Sequence, residues 1–397
     1  VAGSTVTVLG NSGSPVLAKS GFTFSGWNTA SNGSGVSYSQ GNTFTINANT
    51  ILYTVWTSTS PPPSGLSPPT SLSSVGGNAQ AYILFTQSGT VTNYEYSTDN
   101  GETFRLFDPP QVFSPVNITT LSVDGTTLLT NETTYTIMLK AVNSSGASNA
   151  SASVNVIPTE TTLETANRLI HLDAKNSSSY SGTGATWTNL DSAGAYSATL
   201  QNSPTFDGTN KWFTFNGVNQ IAQITQASAI NPTRPFSPFT VQIWARVNTA
   251  SSSFASWDGL ISKQFGAGGG YDGYSLSLST SGAATLNMNG GAVNGNYSSP
   301  ASVYSNGWAL YTIVVRFGGG SGNPSYSYVS TRRVITANNG ETGMGSALAP
   351  LQFPRGIQET GSNFCPADIG AFYLYNSALS QETIIRNFDA TKSRYGL

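Results

Sequence analysis

The sequence predicts an all-β protein of tandem modules, and three observations carry that expectation. Charged residues make up 9% of the 397-residue chain while aromatics reach 11%. An ordinary globular domain carries roughly 25% charged residues, and disorder needs high charge with few aromatic or β-branched residues. Secondly, Ser and Thr alternate with Val, Ile, Tyr and Phe over short runs, the composition of antiparallel sheets whose outer face is rich in hydroxyls. Thirdly, "STSPPPSGLSPP" at 58–69 is Pro/Ser-rich punctuation that cannot join a sheet ladder and favours an extended spacer. A second boundary is "VIPTETTLETANR", where a strand meets Pro and a polar stretch. The expected layout is a first module at 1–57, a linker at 58–69, a second module at 70–158, a linker at 159–168 and a third module at 169–397.

Charge and composition exclude several functions. A net charge of -2 and a pI near 5.4 offer no cluster of Lys and Arg for phosphates, so nucleic acid is not an expected partner. Cys365 is the single cysteine, which rules out an intrachain disulfide and a thiolate metal cluster and suits a small buried apolar residue. The longest apolar runs, such as "LYTIVVRF", are strand-length and short of a membrane helix. The chain starts at Val and carries no signal-peptide pattern, which suits a processed protein or a fragment.

In the first module, "TVTVLGNSG", "KSGFTFSGWNTASNGSGVSYSQGNTFTI" and "ILYTVWT" resemble an internalin B-type (Listeria-Bacteroides) repeat, with Trp27, Tyr38 and Trp56 at its aromatic positions. The resemblance implies a small β-grasp-like module of a secreted protein. It also implies a strand before "TVTV" that the sequence does not show. Three readings stand: a fragment, a module natively short and closed in another way, or processing that leaves an open sheet edge; such an edge could pair with a strand from a second copy of the chain, head to tail, and that contact builds a filament.

The second module offers "AYILFTQ", "TNYEYST", "TTYTIMLKAV" and "ASASVNVIP", separated by turn signals such as "TDNGE" and "NSSG". Roughly seven short strands in under about a hundred residues point to a sandwich. Its phrases resemble a fibronectin type III domain and so imply an Ig-like β-sandwich acting as a spacer or binding module. Tyr135 stands where that family keeps its corner tyrosine, and Phe85 takes the place of its early tryptophan.

The third module strings together "WFTFNGVNQIAQI", "FTVQIWARV", "YSLSLST", "WALYTIVVRF", "YSYVST" and "IGAFYLY", strands that would close as two sheets on an aromatic core including Trp244 and Trp308. With "LIHLDAKN" and the closing "IGAFYLYNSALSQETIIRNFDATKSRYGL", the order resembles a concanavalin A-like, laminin-G-type jelly roll, with a short helix expected near 380–388.

That fold hosts both hydrolases and lectins, so the residue inventory must decide. A glycosidase needs two carboxylates flanking the scissile bond, yet no Glu lies between Glu164 and Glu341. Asp258 and Asp272 read as turn aspartates before Gly. His171, the only His, alternates with apolar residues in "LIHLDA" and reads as structural rather than as part of a triad with Asp173. One His and one Cys cannot close a zinc site. The Gly-rich runs lack the Lys and following helix of a phosphate cradle. No cofactor is required. The laminin-G resemblance implies calcium as an optional ion, with Asp173, Asp191, Asp207 or Asp272 as carboxylate ligands.

Sugar binding is the remaining chemistry. Lectin sites stack a pyranose on Trp or Tyr and hold its hydroxyls with Asp, Asn and main-chain groups. Trp257, Asp258, Tyr271, Asp272, Tyr274, Asn296 and Tyr297 offer those types in expected loops. N-x-S/T sequons at Asn32, Asn117, Asn131, Asn143, Asn149, Asn176 and Asn296 make the chain a candidate glycoprotein. The expectation is a non-enzymatic extracellular or cell-surface protein, a filament subunit joined by strand addition. The alternatives are a glycan-binding adhesin acting through the third module, and a phage or viral fibre protein on a virion surface.

Overall fold

The computed structural model describes residues 3–19, 22–31, 33, 35–58, 66–87, 89–225, 230, 238–247, 258–267, 270–278, 284–290, 293–298, 307–315, 325–329, 333–337, 349–356 and 363–397. Within these, residues 58, 264–267, 270–272, 284–285, 287–290, 293–298, 325–329 and 333–337 are described by backbone alone. The chain divides between Glu160 and Thr161 into two units. It is nearly all β, with one α-helix among the described residues.

The first module holds β1 (Ser4–Thr7), β2 (Phe22–Asn28), β3 (Ser37–Tyr38), β4 (Thr43–Ile46) and β5 (Tyr53–Ser58). β1 pairs antiparallel with β4, and β2 lies between β3 and β5. Its aromatics make the core that few aliphatics supply: Phe24 meets Trp27 and Trp56 edge-on at 5.2 and 5.7 Å, contacts worth about 0.5–1.5 kcal/mol each beyond their burial. The Trp27 indole N–H donates to Leu9 O at 2.8 Å. A bulge in β2 follows Phe24. Gly26 takes φ +148° there, and a Cβ would stand 2.8 Å from Tyr38 O, so only Gly fits.

The second module holds β6 (Thr70–Gly77), β7 (Gln80–Thr86), β8 (Asn93–Ser97), β9 (Arg105–Leu106), β10 (Val116–Ile118), β11 (Tyr135–Asn143), β12 (Gly146–Ala147) and β13 (Val154–Val156). One sheet runs β10-β7-β6; the other runs β12-β11-β8-β9, with β13 also on β11. Alternation in β11 works as its sequence demands: Ile137, Leu139 and Ala141 are buried against Ile83 and Tyr94. The Tyr135 hydroxyl accepts from Thr130 N at 3.0 Å, the backward bond of a tyrosine corner. Phe85 packs on Tyr94 at 4.8 Å.

Both expected linkers are shorter than their composition implied. Leu66 belongs to the sandwich core, while 59–65 lie outside the described residues. Thr159 N donates to Gly77 O at 3.1 Å. Beyond it, Thr161 Oγ1 donates to Asp389 and Glu164 N to Asn387 Oδ1, each at 2.8 Å. Polarity at 161–168 therefore serves hydrogen bonds within the C-terminal unit, not a solvated spacer.

The C-terminal unit contains β14 (Arg168–Asp173), β15 (Thr186–Trp187), β16 (Ala198–Gln201), β17 (Thr205–Asp207), β18 (Trp212–Asn216), β19 (Ile221–Ile224), β20 (Phe239–Val247), β21 (Gly259–Ala267), β22 (Gly270–Leu278), β23 (Ala284–Gly290), β24 (Val293–Ser298), β25 (Ala309–Val315), β26 (Ser325–Val329), β27 (Arg333–Ala337), β28 (Leu351–Phe353), β29 (Pro366–Tyr375) and the helix α1 (Gln381–Lys392). One sheet runs β17-β18-β29-β20-β25-β26-β27, with β14 also on β29; the other runs β15-β16-β19-β28-β21-β22-β23-β24. β18 and β14 share one edge of β29, β18 pairing with Pro366–Ile369 and β14 with Ala371–Tyr375.

β20 and β29 are buried almost throughout because each has two partners to satisfy. Val241, Ile243, Ile369 and Phe372 join the inter-sheet core, whereas Trp244, Tyr373 and Tyr375 join a second cluster with Ile384 and Phe388 of α1. Ser380 caps α1 by accepting from Thr383 N at 3.1 Å, worth about 1 kcal/mol. Asn387, fully buried, donates to Gln242 Oε1 at 2.8 Å and Tyr375 OH at 3.1 Å. Thr391 Oγ1 accepts from the Trp244 indole at 3.0 Å. These bonds fix the helix where a purely apolar face would leave it free to slide.

Candidate functional site

A row of three polar residues crosses the outer face of the first C-terminal sheet. Thr214 on β18 and Arg246 on β20 both lie opposite Asp368 on β29. Thr214 Oγ1 donates to Asp368 Oδ1 at 2.6 Å, and Arg246 Nε and Nη2 donate to Oδ2 at 2.9 and 2.5 Å. The Asp368 side chain is 4% exposed and that of Arg246 33%. A carboxylate this buried needs such partners, since an unpaired charge costs several kcal/mol.

Two indoles flank the guanidinium. Arg246 Cζ lies 4.9 Å from the Trp212 ring centroid and 5.4 Å from that of Trp308, and the two rings are 5.2 Å apart. Each cation–π contact contributes about 0.5–2 kcal/mol depending on its desolvation. Trp308 is buried and continues inward through Tyr395 to Trp244, at 4.7 and 4.4 Å. Trp212 is half-buried, so its indole forms the outer end of this aromatic stack.

The geometry depends on β29. The pairing of β20 with β29 shifts register between Trp244 and Ala245, skipping Gly370. The extra residue reverses alternation, so Asp368 and Tyr373 share the outer face although their numbers differ in parity. Gly370 is also where Tyr395 lies closest: a Cβ there would stand 2.4 Å from the Tyr395 ring.

The residues expected to bind sugar do not form this site. Trp257 lies outside the described residues. Asp258 is buried, and its carbonyl accepts from Leu278 N at 2.8 Å. Tyr274 is 1% exposed and packs on Phe239 at 4.8 Å, so it has no free face for a pyranose; burial pushes its hydroxyl pKa up. Tyr271 and Asp272 sit in β22 and Asn296 and Tyr297 in β24, strands rather than the expected loops, with their side chains outside the described part. The cause is plain alternation. Tyr274, Leu276 and Leu278 share the core-facing side of one strand.

The calcium set is likewise dispersed. Asp173 accepts from Arg394 Nη2 at 2.5 and 2.7 Å. Asp191 accepts from Arg168 Nε at 2.6 Å. A guanidinium already neutralises each carboxylate and repels a cation. Asp207 closes its own turn, accepting from Thr209 N, Asn210 N and Asn210 Nδ2, and the Asn210 donors hold its carboxyl below the usual range. Among the described residues no group of three or more His, Cys, Asp or Glu could hold a metal ion. The Asp272 side chain lies outside the described part.

His171 pairs with Tyr373 across β14 and β29, their rings 5.2 Å apart. Its Nε2 lies 3.9 Å from Asp173 and has no hydrogen-bond partner among the described residues, nor have the buried hydroxyls of Tyr373 and Tyr395. Burial first, then Arg168, lowers the His171 pKa to about 4. Asp173 is held by Arg394 rather than by an imidazole N–H, which is not triad geometry. Cys365 is buried, and burial followed by the charge of Asp258 pushes its thiol up, so it is poorly nucleophilic.

Sequon placement is uneven. Asn149 and Asn176 are exposed, whereas Asn117 Nδ2 donates to Gln80 at 2.9 Å and Asn131 Nδ2 to Asn78 at 2.8 Å. Both amides would have to leave those bonds to take a sugar. Asn143 is half-buried, Asn32 lies outside the described residues, and so does the side chain of Asn296.

With this geometry in view, residues 216–385 match the family profile described as the concanavalin A-like lectin/glucanases superfamily, and residues 2–55 match the Listeria-Bacteroides repeat domain. The first match lies within the C-terminal unit and the second within the first module. Among solved structures, the chain is similar to the binding domain of Paraclostridial Mosquitocidal Protein 1, at 15% identity and a TM-score of 0.44, covering 56% of this chain and 52% of that one. It is similar to the binding domain of botulinum neurotoxin serotype D/C at 16% identity and a TM-score of 0.43, with 56% and 52% covered. A botulinum neurotoxin DC binding domain in complex with SialylT follows at 14% identity and a TM-score of 0.41, with 56% and 51% covered. The chain spans about half the length of these structures. No curated protein matches it. No helix among the described residues is long and apolar enough to cross a membrane.

Proposed function

We propose that this chain is a non-enzymatic, extracellular glycan-binding protein of adhesin type, in which the C-terminal jelly roll engages a sugar ring on Trp212 beside Arg246. The observation that carries this reading is the pairing of a half-buried indole with a guanidinium locked by Asp368. A pyranose presents an apolar face and polar edges, and it is met best by a rigid aromatic ring next to an oriented donor. The match to a lectin-containing superfamily supports the same reading. The second module serves as a fibronectin-like spacer, a role supported by its two-sheet order and the Tyr135 corner bond.

A glycan array probed with the full chain tests this reading. Retention of a defined glycan class by the wild type, lost in Trp212→Ala with the fold intact by circular dichroism, is the expected result. Retention unchanged in Trp212→Ala refutes the site, and no retention of any glycan refutes the function.

The filament reading has one observation in its favour. Among the described residues β1 has β4 as its strand partner and β5 has β2, so each leaves an edge to which a second copy could add. Negative-stain electron microscopy at high concentration distinguishes the two: fibres support strand addition, and dispersed particles reject it.

A further inference from the structure

We propose that the Trp212–Arg246 site selects acidic saccharides, taking the carboxylate or sulfate oxygens of the sugar on the Arg246 Nη1 edge. This rests on the glycan-binding reading and deepens it. The donors and acceptors of the site set this preference. Asp368 accepts three hydrogen bonds, one from Thr214 and two from Arg246, which leaves little acceptor capacity for a ligand. Arg246 spends Nε and Nη2 on Asp368, and its Nη1 edge has no partner among the described residues. The Trp212 indole N–H likewise meets no acceptor among them. The nearby carboxylate of Asp207 is occupied by the Thr209 and Asn210 donors of its own turn. The site therefore donates and scarcely accepts.

A neutral hydroxyl could only accept there and would leave its own proton to water. A carboxylate or sulfate oxygen only accepts, and a guanidinium N–H meets it with a charge-assisted bond about twice as strong as a neutral one. Asp368 and the two indoles hold the guanidinium in place before any ligand arrives, so little side-chain entropy is lost on binding.

The test is calorimetric titration of the full chain with four acidic probes: hyaluronan and polygalacturonate oligosaccharides, sialyllactose and chondroitin sulfate oligosaccharides. Each is run beside its neutral counterpart, carboxyl-reduced, desialylated or, for chondroitin sulfate, both desulfated and carboxyl-reduced, with the merely desulfated form as a carboxylate-only probe. At least one acidic probe is expected to bind about 10-fold or more tightly than its neutral counterpart, through a charge-assisted bond, with the advantage shrinking as salt screens it. Arg246→Gln should erase the advantage, while Trp212→Ala should weaken acidic and neutral probes alike. Arg246→Lys keeps the charge against Asp368 and so guards against a folding defect; it should retain only part of the preference. Neutral probes binding as tightly as acidic ones, or an advantage that survives Arg246→Gln, overturns the inference and leaves glycan binding standing. If no probe of either kind binds, both fall. A preference among the acidic probes tells carboxylate from sulfate.

Discussion

Arg246 and Asp368 face each other on adjacent strands, and their side chains close to 2.5 Å with the carboxylate buried and the guanidinium a third exposed. The pair positions the donor that the sugar would meet. Asp368→Asn removes the charge but keeps the shape, and it leaves Arg246 partly solvated. Stability should fall by about 1–3 kcal/mol in urea, and glycan binding should weaken more than stability does. A variant with wild-type stability and binding would show that the pair positions nothing.

Trp212→Ala should separate binding from folding. The variant loses one aromatic and one cation–π contact at the rim of the outer cluster, where Trp212 is only partly buried, so the cost in stability should stay within about 2 kcal/mol. Chemical denaturation beside the array checks this; a collapse of the fold would make Trp212 a structural residue.

Gly370→Ala should be costly for its size. Its Cβ would run into the Tyr395 ring, which is itself packed on Trp244 at 4.4 Å and Trp308 at 4.7 Å. Overpacking of this kind costs about 1–3 kcal/mol, read as a lower urea midpoint. Gly208→Ala, where a Cβ meets nothing within 4 Å, is the matched control.

Acid should weaken the C-terminal unit through His171. Its folded pKa lies near 4, below the roughly 6.5 of an unfolded His, so the unfolded state binds more protons in between. The stability due to neutral His171 is fully present above pH 6.5 or so and is lost progressively as pH falls toward 4, by about 2–3 kcal/mol. The facing groups are Arg168, Arg394, Asp173, Asp191 and Tyr373, and a protonated imidazole would stand beside both guanidinium groups. His171→Gln should flatten this limb of the stability–pH curve. A mutant curve parallel to the wild type would contradict the assignment.

Calcium should leave thermal stability unchanged, because Asp173 and Asp191 already meet Arg394 and Arg168. A midpoint that rises several degrees on adding calcium, and falls again with a chelator, would place the ion elsewhere.

Much of the architecture is legible in the sequence because alternation reports which face is wet. β11 shows it, with Ile137, Leu139 and Ala141 inward. The candidate site is less legible, and Gly370 is the reason. In "PADIGAFYLY" strict alternation sets Asp368 and Tyr373 on opposite faces; the bulge at Gly370 turns them to the same one. Pairing Asp368 with Arg246 also needs two strands more than a hundred residues apart to meet. A Gly inside an otherwise continuous strand pattern is the kind of signal that marks such a bulge. The "GYDGY" run misled in the opposite way. Its glycines suggested a loop, yet Tyr274 continues the alternation of Leu276 and Leu278 into the core.

The most direct measurement is a crystal structure of the full chain soaked with the tightest-binding glycan of the array. A sugar ring should lie against the Trp212 indole, with one of its oxygens within about 3 Å of Arg246 Nη1. A sugar bound elsewhere, with Trp212 and Arg246 bare, would contradict that placement.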